Sequence, residues 1–91
     1  LEFRRVLFRS RVQGVGFRWF TCDRASVHAV VGWVANADDG SVVGEASAAP
    51  DALQAFLAAL RGGPAGSQVV DLATTAIDPD TVRTRAFEIQ R

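Results

Sequence analysis

Several residue types that commonly mark a disulfide framework or a metal site are scarce in this chain of 91 residues. Cysteine and histidine occur once each, as Cys22 and His28, and every basic residue is arginine. A single cysteine cannot form a disulfide within the chain, which favours a reducing compartment. One cysteine and one histidine cannot make a structural zinc site either, and no His/carboxylate spacing typical of a catalytic one is seen. We therefore expect no metal and no cofactor.

An excess of charge of one sign and long apolar runs are also missing. Ten arginines balance ten acidic residues, so the formal net charge is zero. Nucleic-acid-binding domains usually carry a basic excess, so we expect no nucleic acid partner. No apolar run approaches the roughly 18 residues that a membrane helix needs, and residues 1–10 lack the long apolar stretch of a signal peptide. We expect a cytoplasmic protein that does not bind membranes.

The local patterns that are present predict one small α+β domain. Hydrophobic residues make up 48% of the chain and charged residues 22%, which is ordinary for a globular domain. Apolar and β-branched runs predict strands, two segments predict helices, and Asp38-Asp39-Gly40 is a typical hairpin turn. The strands are predicted at residues 5–10, 30–35, 41–48, 68–77 and 86–90, and the helices at residues 17–29 and 50–61. The order β-α-β-β-α-β, followed by a short strand, is the ferredoxin-like split βαβ pattern, an antiparallel sheet with both helices on one face.

The second helix has the clearest pattern. Leu53, Phe56, Leu57 and Leu60 recur at helical spacing and form one apolar face. Strand residues 41–48, in contrast, include several unusually small side chains, at Gly44, Ala46 and Ser47. We expect these to weaken the sheet.

A glycine-containing loop between the first strand and the first helix is the candidate anion site. Two glycines allow a tight turn whose N–H groups can converge on an anion, and a helix N-terminus adds partial positive charge. Arg18 lies at that helix start, and a guanidinium can hold two phosphate oxygens at once. Local chemistry alone leaves an alternative open for each feature. The glycines can form an ordinary turn that binds nothing, and Arg18 can be a solvated helix residue.

The segment Arg11-Val12-Gln13-Gly14-Val15-Gly16-Phe17-Arg18 resembles the signature of the acylphosphatase family. A second family motif is similar at Gly32-Trp33-Val34, Asn36 and Asp39-Gly40-Ser41-Val42, and Phe87-Glu88-Ile89 resembles the family's end. The similarity covers residues 11–91 in order and with family spacing. It implies a small enzyme that hydrolyses acyl phosphates without a metal and works as a monomer.

The resemblance also implies roles for individual residues. Arg18 would bind the phosphate and Asn36 would orient the attacking water. From its position alone, Asn36 is more simply interpreted as a turn residue. The phosphate would be held by the loop residues Gln13, Gly14, Val15, Gly16, Phe17 and Arg18. We expect Trp19 and Trp33 to be packing residues, Cys22 to be a small, partly buried residue, and Asp38 and Asp39 to form the turn.

Two other classes of function remain as alternatives. A ferredoxin-like sheet can serve as a non-catalytic phosphate- or RNA-binding module, although the familiar aromatic RNA-binding motif is not evident here. The chain also resembles the N-terminal part of hydrogenase-maturation carbamoyltransferases, which handle carbamoyl phosphate. Those proteins have cysteine clusters downstream that this sequence does not contain.

Residues 1–10, LEFRRVLFRS, resemble one translated frame of a common sequencing-library adapter. We therefore expect residues 1–10 to be a non-native segment standing in for the first strand, and residues 11–91 to be the acylphosphatase-like domain. Ser10, at the junction, replaces the glycine that usually precedes the Arg-Val-Gln segment in the family. That change raises the question of whether the phosphate loop remains competent.

Overall fold

The computed structural model describes residues 3–13, 16–65, 68–78 and 86–90. Within these ranges the chain forms seven elements: β1 (Arg4–Gln13), α1 (Phe17–Val27), β2 (Val31–Asn36), β3 (Val42–Ala48), α2 (Pro50–Gly62), β4 (Gln68–Ile77) and β5 (Phe87–Ile89). This order confirms the predicted ferredoxin-like α+β fold. Neither described helix is long and apolar enough to cross a membrane.

The described strands form one sheet in the order β4-β1-β3-β2-β5. The pairs β1–β3, β1–β4 and β2–β3 are antiparallel, as predicted. The pair β2–β5 is parallel, so the sheet is mixed rather than wholly antiparallel. The reason is topological: the chain reverses direction after β4 and joins the opposite edge, beside β2, which then runs the same way.

Both helices pack on one face of the sheet. Phe56, fully buried in α2, contacts Phe8 of β1 edge-on, with ring centroids 6.3 Å apart, and Phe87 of β5 at 5.8 Å. These aromatic contacts link a central strand to an edge strand through one helix. The apolar face predicted for α2 is buried as a whole, and α1 adds three buried residues: Leu53, Phe56, Leu57 and Leu60 from α2, and Phe17, Thr21 and Ala25 from α1.

Two element boundaries differ from the prediction by two residues or more, each for a local reason. β1 continues to Gln13, through the segment predicted as a loop, because its last residues pair with β4 across an irregularity between Arg11 and Val12. α1 ends at Val27, two residues early. Ala29 there adopts φ 55°, and the Val30 N–H donates to the Ala25 carbonyl at 2.9 Å, which closes the helix with a left-handed cap.

Gly44 of β3 has a packing role. A side chain at Gly44 would collide with the ring of Phe8 and with the backbone carbonyl of Trp33. Phe8 is buried in the core, and Gly44 is its partner in the β1–β3 register. Glycine at this position therefore makes room for the aromatic ring of the neighbouring strand.

We predict that Gly44→Ala destabilises the protein, toward the upper end of the about 1–3 kcal/mol typical of overpacking, because the backbone carbonyl cannot move aside cheaply. The matched control is Gly62→Ala at the end of α2, where an added methyl group meets nothing within 4 Å. The control should leave stability unchanged or slightly raised. Urea denaturation of both variants measures the difference, and equal midpoints would refute the packing role of Gly44.

Candidate active site

The ends of three strands place the candidate site at one end of the sheet. β1 and β2 both pair antiparallel with β3, so they run in the same direction, and β5 is parallel to β2. The carboxyl ends of β1, β2 and β5 therefore lie at the same end of the sheet. The start of α1, which follows β1, lies at this end too.

Two residues predicted from separate motifs meet there. Arg18, in the first turn of α1, and Asn36, the last residue of β2, line the same cleft of about 470 Å³. The other described residues that line it are Trp19, Ile89 and Gln90. This volume lies within the roughly 300–1,000 Å³ of small-molecule sites. The catalytic roles of Arg18 and Asn36 remain predictions.

The start of α1 places backbone N–H groups that the helix itself does not pair at the same end of the strands. Gly16 precedes the helix with φ 86°, a left-handed conformation that favours glycine. The Phe20 N–H donates to the Gly16 carbonyl at 2.9 Å. The amides of residues 17–19 precede this first helical bond and have no acceptor within the helix. With the positive end of the helix dipole and the guanidinium of Arg18, they form an arrangement suited to an oxyanion.

The other predicted phosphate-binding residues are placed as follows. Gln13 ends β1 and pairs with Gln68. Phe17 is buried and packs against Phe20, so its backbone amide rather than its ring is suited to an anion. The predictions for Gly14 and Val15 lie outside the described residues.

Asn36 is held by the hairpin that follows it. It pairs with Val42 across the hairpin and its side chain is exposed. The Ala37 N–H donates to the Ser41 carbonyl at 2.8 Å, and the Gly40 N–H donates to the Ala37 carbonyl at 3.0 Å. Gly40, at φ 87°, completes the predicted Asp-Gly turn. The backbone at Asn36 is thus fixed while the amide stays accessible.

Asp39 connects this hairpin to β1. Its carboxylate accepts hydrogen bonds from the Ser41 hydroxyl at 2.6 Å and the Ser41 N–H at 3.0 Å, and from Nη1 of Arg9 at 2.8 Å. The Ser41 bonds, with a smaller effect of Arg9, lower the pKa of Asp39 to about 2. Asp39 is therefore a turn-forming residue, as expected, and it also ties the hairpin that carries Asn36 to the strand before the loop.

Three cleft residues were not found by sequence reasoning. Trp19 is 74% exposed and lines the cleft, so the prediction that it is a packing residue is wrong. Ile89 and Gln90 reach the cleft because β5 lies beside β2, where the Gln90 N–H donates to the Val34 carbonyl at 2.8 Å. The position of β5 depends on tertiary packing, so a pattern along the chain gives no signal for these two residues.

Two other residues near the loop have structural explanations. Ser10 is fully buried, and its hydroxyl donates to the Asp71 carbonyl at 3.0 Å, so a hydrogen bond within the sheet accommodates the serine. Cys22 is partly buried, as expected. Burial raises the pKa of its thiol, which disfavours the thiolate that a nucleophilic role would need.

We predict that Asp39→Asn lowers the thermal midpoint at pH 6 and that this difference shrinks as the pH falls. The pKa of Asp39 drops from an ordinary 3.8 to about 2 on folding. Its ionised form therefore stabilises the fold above about pH 4, and this contribution is lost as the pH falls from about 4 to about 2. Thermal unfolding between pH 6 and pH 2 measures the trend. Asp38→Asn removes the same charge one residue earlier, and an identical trend in that control would argue against the Asp39 contacts.

Comparison with known proteins shows which family the chain resembles over its length. The family model for acylphosphatase matches residues 4–89. The chain is 41% identical over 87 residues to the acylphosphatase of Oceanobacillus iheyensis, covering 94% of each chain. It superposes on the crystal structure of acylphosphatase from Bacillus subtilis with a TM-score of 0.81 and 36% identity, over 98% of each chain. Full-length HypF shares the fold alone, with a TM-score of 0.84 at 22% identity over 12% of its length. The chain belongs to the acylphosphatase family.

Proposed function

We propose that this chain hydrolyses acyl phosphates, releasing a carboxylate and inorganic phosphate, in the cleft between α1, β2 and β5. Family membership supports the reaction. The observation that supports the location is that Arg18 and Asn36, which come from different motifs, line one cleft. The carboxylic–phosphoric anhydride is already reactive, so the protein needs mainly to position the reactants and stabilise charge.

Arg18 is proposed to hold the phosphoryl group. Its guanidinium can donate two parallel hydrogen bonds to phosphate oxygens, a geometry that lysine does not offer. The backbone amides of the loop, contributed by Gln13, Gly14, Val15, Gly16, Phe17 and Arg18, would surround the same oxygens. As charge redistributes over the phosphoryl oxygens, these fixed donors stabilise it without reorganising.

Asn36 is proposed to orient the attacking water. Its side-chain amide can both donate and accept a hydrogen bond, so it can align a water opposite the leaving acyl oxygen. Among the described residues that line the cleft, none is a histidine or a carboxylate. The water proton is therefore assigned to a phosphate oxygen of the substrate. The water oxygen bonds to phosphorus, the bond from phosphorus to the acyl oxygen breaks, and the carboxylate leaves with that electron pair.

The alternative functions are less well supported. The curated relatives carry the name acylphosphatase, which favours acyl phosphate hydrolysis over a non-catalytic RNA- or phosphate-binding module. The likeness to HypF concerns the fold alone and gives no independent support for carbamoyl phosphate as the substrate. We further propose a cytoplasmic monomer that needs no metal or cofactor and binds no nucleic acid.

Residues 1–10 are proposed to be non-native, on the strength of their resemblance to adapter sequence. Such a segment could still serve as a strand, because β1 is held by backbone pairing on both sides. Phe8, within it, fills the core above Gly44. Reading the source DNA across the codons of Ser10 and Arg11 tests the proposal: continuous genomic sequence on both sides would refute it.

We predict that Arg18→Ala and Asn36→Ala each lower kcat for benzoyl phosphate by about 10²–10³, as expected for the loss of one preorganised donor. Arg18→Lys should recover only part of the loss, because a single ammonium cannot reproduce paired hydrogen bonds. The reaction is followed by ultraviolet absorbance with a chelator present. Activity of the parent protein should resist the chelator.

The matched control is Arg24→Ala. Arg24 lies later in the same helix and pairs with Asp23 outside the cleft, at 2.6 Å. The Arg24→Ala variant should keep parental activity, because Arg24 carries the same charge as Arg18 but does not line the cleft. Unchanged turnover in Arg18→Ala, or an equal loss in Arg24→Ala, would contradict the assignment of Arg18.

A further inference from the structure

The cleft is larger than the phosphate chemistry requires. Arg18 and Asn36 account for the phosphoryl group and the water, but Trp19, Ile89 and Gln90 line the same cleft and take no part in those steps. An acyl phosphate has a second half, joined to phosphorus through one oxygen. When the phosphoryl group is held by Arg18, the remaining wall of the cleft is available to the acyl group.

That wall presents apolar surface. Trp19 follows Arg18 directly in the first turn of α1, and Ile89 is the last residue of β5. Gln90, next along the chain, is fixed through its backbone N–H to Val34. An indole and a branched alkyl chain are suited to an apolar acyl group, and the amide of Gln90 adds one polar contact.

The exposure of Trp19 is unusual for its size. Among the described exposed large apolar residues, its 74% is the highest value, and the others range from 37% to 59%. Its neighbours in sequence differ from it: Arg18 is half-buried and Phe20 packs against the core. An exposed tryptophan beside the proposed phosphate-binding arginine leaves an open aromatic face at the cleft.

We propose that Trp19 and Ile89 form the acyl subsite of this enzyme and favour flat aromatic acyl groups over small ones such as acetyl. This inference rests on the proposed function, since it assumes that the phosphoryl group lies at Arg18. Trp19 is the specificity-determining residue, because its ring can stack on an aromatic acyl group, whereas an acetyl group offers no ring to stack on. Ile89 closes the subsite from the side of β5.

The contact with the acyl ring exists before and during the reaction, so it contributes uniform binding. Removing it should therefore raise KM more than it lowers kcat. A stacked aromatic pair corresponds to a change of about 3- to 10-fold in affinity. The quantity to measure is the ratio of kcat/KM for benzoyl phosphate to kcat/KM for acetyl phosphate.

In Trp19→Ala this ratio should fall about 3- to 10-fold, through a higher KM for benzoyl phosphate. Trp19→Phe, which keeps an aromatic ring, should retain most of the parental ratio. Val27→Ala is the matched control, because Val27 is 59% exposed at the far end of the same helix, away from the cleft. A ratio that is unchanged in Trp19→Ala would overturn the proposal while leaving the proposed function intact. This includes the case in which kcat/KM falls equally for both substrates.

A binding measurement distinguishes failure of the acyl-subsite proposal from failure of the proposed hydrolytic function. In a Trp33→Phe background Trp19 is the remaining tryptophan of the chain. Its fluorescence should change on titration with phenylphosphonate, at lower concentration than with methylphosphonate. If the parent protein hydrolyses neither substrate, the proposed function fails. This titration then shows by itself whether Trp19 binds an aromatic group. Equal responses to the two phosphonates would overturn the subsite.

Discussion

The arrangement of the candidate site depends on the central strand β1. This strand pairs with β3 on one side and β4 on the other, and the proposed phosphate-binding loop follows its carboxyl end in the sequence. Its position is fixed from within by Phe8, whose ring occupies the space left by Gly44 and contacts Phe56 of α2. A shift of β1 would also move the start of α1, which follows β1 closely in the chain, so core packing and site geometry are coupled.

The second half of the site is attached to the same strand through polar contacts. Arg9 of β1 reaches Asp39, and Asp39 holds the turn through Ser41. That turn follows Asn36 directly. The positions of the proposed phosphate-binding and water-positioning groups therefore both depend on β1. The phosphate-binding group is connected to β1 through the backbone, and the water-positioning group through the ion pair between Arg9 and Asp39. Because the ion pair is exposed, its energetic contribution is small, and its main effect is on the geometry of the hairpin.

Much of the fold was predictable because its elements carry strong local signals. The apolar face of α2, the Asp-Gly turn and the bounds of β4 follow from periodicity and turn chemistry. The parallel pairing of β5 was not predictable, since strand order reflects packing among distant segments. Within β4, Val70 is exposed while Val69 packs against the core, because the irregularity opposite Arg11 and Val12 shifts the alternation.

The candidate site shows the same division. Glycine and arginine chemistry indicated an oxyanion site near Arg18, but local chemistry favoured a turn residue at Asn36, and only the family motif suggested a role in the reaction. Trp19 was misassigned, because a tryptophan in an imperfect apolar helix is usually buried, and exposure depends on the rotation of α1 against the sheet. Ile89 and Gln90 could not be found without knowing where β5 lies.

The most direct test of the central claim, that Arg18 and Asn36 belong to one oxyanion site, is a titration of the isotope-labelled protein with inorganic phosphate, followed by nuclear magnetic resonance. The backbone amides of residues 17–19 and the side-chain amide of Asn36 should shift together with one dissociation constant, and the response should be lost in Arg18→Ala. A second cleft is lined in part by Arg11 and Asp39. Shifts centred there instead, with residues 17–19 and Asn36 unaffected, would contradict the claim.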